Sequence, residues 1–261
     1  MSEKKPIIHA LWIGNALGVI SRSCLYSFVM RGHEVCLHTY GEIEDIPKGI
    51  TVCDANKIIP KNNIFKHKKT GSYALFSDIF RYELLQKVDG IYVDCDVYCL
   101  KPLVMPVSGY LLGYEEDNLI NGAVLAMPKD SDLSKALLAA SRNPYFIPPW
   151  YSNRKKSVLK LKKFFGLAKK VSDMPWGIIG PNAITFYVNH FNLSELVEPI
   201  DVFYPVHHRC INQLTDSGLS IDDICSTRTS CIHLYNEMLK NIDISVLDEN
   251  SVLHQLLKNE I

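Results

Sequence analysis

Apolar and polar positions along the first half of the chain switch between two periods. Residues 7–13 form a short apolar run rich in β-branched side chains and predict a strand, and 17–30 carry a helical pattern that closes at Gly32. Residues 34–40 alternate as a strand does. Residues 73–88 return to a helical period, with Leu75, Ile79, Tyr82 and Leu85 on one side, and stop at Asp89-Gly90. Further strands are expected over 90–97, 110–114 and 123–127. Strand, helix and strand in this order, with connections of this length, imply an α/β fold with a parallel sheet and helices on its faces. The second half has a weaker pattern. No repeat or low-complexity linker interrupts the chain, so one domain is expected over 1–261, with a basic amphipathic insertion at about 150–172.

Of the 261 residues, 47% are hydrophobic and 21% charged, the composition of a soluble globular protein. A disordered tail, a collagen-like fibre and a small disulfide-stapled scaffold are excluded. Lys and Arg number 28, as do Asp and Glu, so no global field attracts nucleic acid. The balance hides a segment of opposite character. Residues 154–170 hold eight basic side chains and no acid, which leaves 20 basic against 28 acidic residues elsewhere. At helical spacing Leu161, Phe164, Phe165 and Ala168 share a face with Val158, while Lys155, Lys162, Lys163, Lys169 and Lys170 gather opposite; Leu159 and Lys160 fit poorly. Two readings stand: a solvated helix that packs its apolar side on the protein body, or a helix lying on an anionic membrane. Nucleic-acid binding is disfavoured, because stacking aromatics interleaved with the cations are absent.

The eight cysteines include no C-x-x-C pair and no zinc-finger spacing, which argues against structural zinc and for a reducing compartment. The apolar run near the start ends at Gly14-Asn15, too early for a signal peptide, and no stretch approaches the roughly 18 apolar residues that cross a bilayer. The expected location is cytoplasmic, at most peripheral on the cytoplasmic face of a membrane.

The chemistry concentrates between residues 77 and 102. Asp78 and Arg81 stand three apart on one helix face, and an apolar strand then delivers Gly90-Ile-Tyr-Val-Asp94-Cys-Asp96. In an open α/β sheet, ligands collect at such strand ends. Asp94 and Asp96 supply hard oxygen ligands suited to Mn²⁺ or Mg²⁺, and the strand is expected to bend there so that both meet one ion. An isolated Asp-x-Asp is usually a solvated turn. The surrounding residues change that reading.

The Ser-Asp-x-x-Arg helix leading to Gly-x-Tyr-x-Asp-x-Asp resembles the DXD-containing, sugar-binding glycosyltransferases of the GT32 type, relatives of the glucosylating domains of large clostridial toxins. Residues 7–14 resemble that family's opening strand, Asn121-Gly-Ala-Val-Leu-Ala-Met the strand after the DXD loop, Gly180-Pro-Asn182 its helix start, and Phe203-Tyr-Pro with Ile232-His233-Leu-Tyr-Asn236 its C-terminal landmarks. Tyr235 departs from the family, which commonly has Trp at this point.

The resemblance implies a GT-A-like domain with a mixed, mostly parallel sheet, and a metal-dependent, retaining transfer of a hexose or N-acetylhexosamine from a nucleotide-diphosphate sugar, a UDP-sugar first. The acceptor would be a cell-surface glycan, such as a polysaccharide or lipid-linked oligosaccharide. Asp96, with Asp94 and His233, would hold the cation. Arg81 would contact phosphate or sugar, Asp78 sugar hydroxyls, and Trp12 and Ile13 the base, while Asn121 and Asn182 lie near the anomeric centre or acceptor and Asn236 joins the donor site. Bland alternatives stand beside several of these. Trp12 suits a core, His233 a structural role, and Asn182 a helix cap; His207-His208 reads as a surface loop. Two other functions use the same residues, a metal-dependent phosphoesterase and a nucleotide- or glycan-binding module without transfer. A glycosidase would want its carboxylates farther apart.

Overall fold

A computed structural model describes residues 5–258; the remainder of the domain expected over 1–261, residues 1–4 and 259–261, lies outside it. Strand β1 (Ile8–Trp12) leads through helix α1 (Gly18–Met30) to β2 (Val35–Thr39) and β3 (Ile50–Asp54). Helix α2 (Ala74–Lys87) precedes β4 (Ile91–Val93) and β5 (Val97–Cys99), and β6 (Leu111–Glu116) pairs with β7 (Leu119–Ala126). Then come α3 (Asp132–Ser141), α4 (Asn153–Phe164), α5 (Pro181–His190), β8 (Val197–Glu198), α6 (Ile200–Phe203), α7 (Ile221–Ile224), β9 (Cys231–His233), α8 (Asn236–Leu239) and α9 (Val252–Leu257).

Seven strands form one sheet in the order β3-β2-β1-β4-β7-β6-β8. The first four run parallel, β7 is antiparallel to β4 and β6, and β8 is parallel to β6. This is a mixed, mostly parallel sheet flanked by helices. The strand expected over 90–97 requires a correction: it stops at Val93, and β5 leaves the sheet to pair with β9. The break has a local cause. Asp94 donates its N–H to Ala123 O (2.8 Å) and accepts from Val97 N (3.1 Å), which closes a turn. Strand β3 escapes the sequence pattern because it is a half-exposed edge without an apolar run.

Alternation along the strands divides the core. Ile8, Ala10, Ile91 and Val93 pack with Leu25 and Phe28 of α1, while Leu11, Tyr92 and Leu125 pack with Phe76, Phe80 and Leu84 of α2 and with Leu137 of α3. A third cluster joins Cys24 of α1 to Ile232, Leu234, Leu253 and Leu256 and so fastens the C-terminal segment to the sheet. Each buried Val, Leu, Ile or Phe among these contributes about 1.5–3 kcal/mol. Helix α1 has no capping residue of its own; Asp45, from a loop 28 residues away, accepts from Leu17 N at 2.7 Å. Gly90, at the entry to β4, has φ +144°, and a Cβ there would stand 2.4 Å from Ile7 O; only glycine fits.

The basic helix also differs from expectation. It ends at Phe164 rather than running to 170, because Gly166 takes φ +72°. Leu159 packs on the body, while Val158, Leu161, Phe164 and Phe165 face solvent.

Between β1 and β2 lies a buried imidazole pair. His9 Nε2 donates to Asp89 O (3.2 Å), so its Nδ1 accepts from His38 Nε2 (3.1 Å). Burial depresses both, His38 to about 4, with His9 adding to the effect. Unfolded histidine titrates near 6.5. Between about pH 6.5 and 4 the unfolded chain therefore takes up protons that folded His38 refuses, and stability falls as the pH is lowered through that window, by on the order of 3 kcal/mol for this one group. Thermal unfolding across the window should show a shallower acid slope for His38→Phe than for the wild type; equal slopes would remove His38 from the account.

Candidate active site

The break after β4 gives the two acidic side chains different neighbours. In an uninterrupted strand, residues two apart share a face. Here Asp94 continues the face of Tyr92, toward α2, whereas Asp96 lies beyond the turn, against β9 and α8.

Helix α2 presents Ser77, Asp78 and Arg81 to the first of them. Arg81 Nη2 donates to Asp94 Oδ1 at 3.0 Å and lies 3.5 Å from Asp78 Oδ1. It also donates to Ser77 Oγ (3.3 Å), and the guanidinium covers the Tyr92 ring at 4.6 Å. Tyr92 Oη donates to Asp94 Oδ1 at 3.0 Å and shares a hydrogen bond with Ser77 Oγ at 2.8 Å. Arg81 is only 4% exposed. Burial opposes its charge, but Asp94, Tyr92 and Asp78 outweigh it and raise the guanidinium's pKa. Burial pushes Asp78 up to about 7; Arg81 opposes that shift and Asp94 adds to it. The chain entering α5 presses on the same carboxylate, since a Cβ on Gly180 would come within 2.4 Å of Asp78 Oδ2.

Asp96 is held from the C-terminal segment. His233 Nε2 lies 3.2 Å from Asp96 Oδ1, Asn236 N donates to Oδ2 at 2.9 Å, and Leu234 N donates to the Asp96 carbonyl at 2.8 Å. Tyr235 produces this arrangement. Its left-handed backbone (φ 47°, ψ 59°) turns the Asn236 N–H toward Asp96, and its ring packs on His233 with centroids 3.9 Å apart. Such a conformation costs a non-glycine residue on the order of 1–3 kcal/mol and gathers at functional sites. Burial lowers the pKa of His233, but Asp96, then Asp94 and Glu115, raise it beyond that. Asp96 mirrors this: burial raises its pKa, and His233 draws it below the usual carboxylate range. The corner therefore favours positive charge.

Ligand atoms of Asp94, Asp96 and His233 lie within 4.8 Å of one another. Two carboxylates and one imidazole, in a field that already draws positive charge, suit a divalent cation.

The other residues singled out in the sequence fall around this corner. Asn121 is buried and its Oδ1 accepts from Ala123 N at 2.8 Å, in the segment of β7 that holds Asp94. Asn236 contributes its backbone N–H rather than its side chain. Asn182 is an exposed residue in the first turn of α5, after Pro181, where proline suits a helix start. Trp12 ends β1 and Ile13 follows it, one strand from the turn, and both are half-buried. Tyr92 has no role assigned from the motif that contains it, although its place two residues before Asp94 fixes the face they share. His207 and His208, expected in a surface loop, gather on Glu116. His207 accepts from Arg209 N at Nδ1 (3.2 Å) and donates from Nε2 to Glu116 Oε1 (2.8 Å), with His208 Nδ1 3.6 Å from the same oxygen.

Residues 33–120, which include Asp78, Arg81, Asp94 and Asp96, match the family described as glycosyltransferase sugar-binding region containing DXD motif. The match covers about a third of the chain and takes in the DXD turn with the helix before it. No curated protein matches the chain. Among solved structures, the PaToxG glycosyltransferase is similar at TM-score 0.44 and 16% identity, over 74% of this chain and 73% of its own. The apo-form glycosyltransferase GlyE of Streptococcus pneumoniae TIGR4 is similar at TM-score 0.34 and 10% identity, over 99% of this chain and 64% of its own. The apo WbbM bifunctional glycosyltransferase aligns at 0.34 and 11%, over 99% of this chain and 52% of its own. The matched residues include the DXD turn, with Asp78 and Arg81 behind it.

Two substitutions probe how that region is held. Arg81→Ala leaves the buried Asp78 and the half-buried Asp94 without their cation and should cost about 3–5 kcal/mol, against at most about 1 kcal/mol for Arg142→Ala in the exposed pair with Glu83; urea unfolding of both variants measures the difference. Gly180→Ala drives a methyl into Asp78, a short side chain with no room to yield, and should cost about 1–3 kcal/mol. Gly218→Ala, with nothing within 4 Å, is the matched control and should leave the urea midpoint in place.

Proposed function

We propose that this protein transfers a hexose or N-acetylhexosamine from a nucleotide-diphosphate sugar, a UDP-sugar first, to a glycan acceptor such as a polysaccharide or lipid-linked oligosaccharide, with retention at the anomeric carbon. One observation carries the reading. The DXD turn is anchored on both sides, Asp94 by Arg81 and Asp96 by His233, and the three ligand atoms still converge within 4.8 Å.

Asp96, Asp94 and His233 would hold the divalent cation, and the imidazole favours Mn²⁺ over Mg²⁺. When bound, the ion supplies Lewis-acid stabilisation of the charge that develops on the departing diphosphate. The chain's own residues do the rest. Arg81, enclosed by Ser77, Asp78 and Tyr92, fixes the orientation of Asp94. Asp78 titrates near neutrality and can accept or donate a hydrogen bond to a sugar hydroxyl. Trp12 and Ile13, at the end of the neighbouring strand, are assigned to the base, Asn121 and Asn182 to the sugar and acceptor side, and the Asn236 backbone to the DXD turn. The anomeric C–O bond to phosphate breaks, the acceptor oxygen bonds on the same face, and the acceptor's proton passes to the departing phosphate oxygen, so the reaction needs no protein base.

The proposal treats the chain as one domain bearing a basic insertion at about 150–172. It places the reaction in the cytoplasm, since Cys24, Cys95, Cys99 and Cys231 are packed as buried thiols.

Nucleoside-diphosphate release, followed with Mn²⁺ and a panel of donors, tests the assignment. Asp96→Asn should lower turnover by about a hundredfold or more, and His233→Gln should raise the Mn²⁺ concentration needed for half-maximal rate. Near-normal turnover in Asp96→Asn would overturn the site. Phosphate release without sugar transfer would indicate a phosphoesterase instead, and donor binding without turnover a binding module.

A further inference from the structure

Helix α4 is mounted with its apolar side outward. Three of its cations turn back to the protein: Lys155 Nζ lies 3.3 Å from the Tyr151 ring centroid, Lys163 Nζ 5.7 Å from that of Tyr145, and Lys156 Nζ donates to Pro149 O at 3.3 Å. Leu159 packs on the core between them. The helical period then directs Val158, Leu161, Phe164 and Phe165 away from the body. Phe164 is 82% exposed and Phe165 65%, and Leu167 continues the patch beyond the helix. Arg154, Lys160, Lys162, Lys169 and Lys170 are exposed around it. A monomeric soluble protein does not ordinarily turn two phenylalanines of one helix into water.

We propose that this face docks on the surface of an anionic phospholipid bilayer. The patch asks for two things at once, an apolar phase for its phenylalanines and negative charge for its cations, and a bilayer interface offers both within one layer. A second copy of the chain fits poorly. Two such helices face to face would bring the five cations around one patch against the five around the other, with no acid between residues 154 and 170. The helix is about 18 Å long and lies flat on the bilayer. No helix among the described residues is long and apolar enough to cross a membrane. This docking is independent of the catalytic assignment.

Co-sedimentation with phosphatidylglycerol/phosphatidylcholine vesicles and with pure phosphatidylcholine vesicles, at low and at physiological salt, tests it, with gel filtration run alongside. The wild type should bind the anionic vesicles and bind phosphatidylcholine at least tenfold more weakly. Phe164→Ser/Phe165→Ser and Lys160→Glu/Lys162→Glu should each lower partitioning about tenfold or more, with unchanged thermal unfolding because all four side chains are exposed. A wild type that ignores anionic vesicles at low salt overturns the proposal. So does binding that survives both double variants, and so does a concentration-dependent dimer that Phe164→Ser/Phe165→Ser abolishes without any vesicle binding, which would make a second copy the occupant.

Discussion

The contact between Arg81 and Asp94 is the constraint on which the site's geometry depends. A guanidinium taken almost wholly out of water is tolerable only beside matched acceptors, and this one has Asp94, Asp78, Ser77 and the face of Tyr92. The arrangement ties the end of β4 to α2 and, through Asp78 and Gly180, to the start of α5. Three separate elements thereby share one carboxylate cluster, and none can shift without uncovering a charge.

A second constraint operates on the opposite side of the turn. Asp96 belongs energetically to the C-terminal segment, where a strained Tyr235 aims the Asn236 N–H and supports His233. The third core cluster holds that segment against α1. Packing remote from the DXD turn therefore positions one of its two acids. The convergence of Asp94, Asp96 and His233 is a product of two independent anchors.

The surface shows a different economy. Elsewhere the apolar sides of helices are inward, as amphipathicity dictates. Helix α4 reverses this because aromatic rings at Tyr145 and Tyr151 take up its lysines and a single leucine suffices to seat it. Its periodicity is real, but the partner it prefers within the protein is the cationic side.

The α/β alternation, the 74–87 helix, the strand ending at Asp94 and the DXD turn were legible in residue order, because each rests on local period, on turn residues or on a motif whose members lie within 20 positions. Asp78, Arg81, Asp94 and Asp96 could be named on that basis. The departure of β5 from the sheet, the edge strand β3 and the short elements after residue 195 were not, since backbone pairing with distant partners defines them and their own patterns are too brief to register. Nor could residue order reveal that Arg81 stands behind Asp94, that Asn236 serves through its backbone, or which way α4 faces. Those outcomes depend on which groups meet in space, at separations from 13 residues for Arg81 and Asp94 to 140 for Asp96 and Asn236, and on the desolvation and steric costs of the meeting, which exist only once the chain has closed on itself.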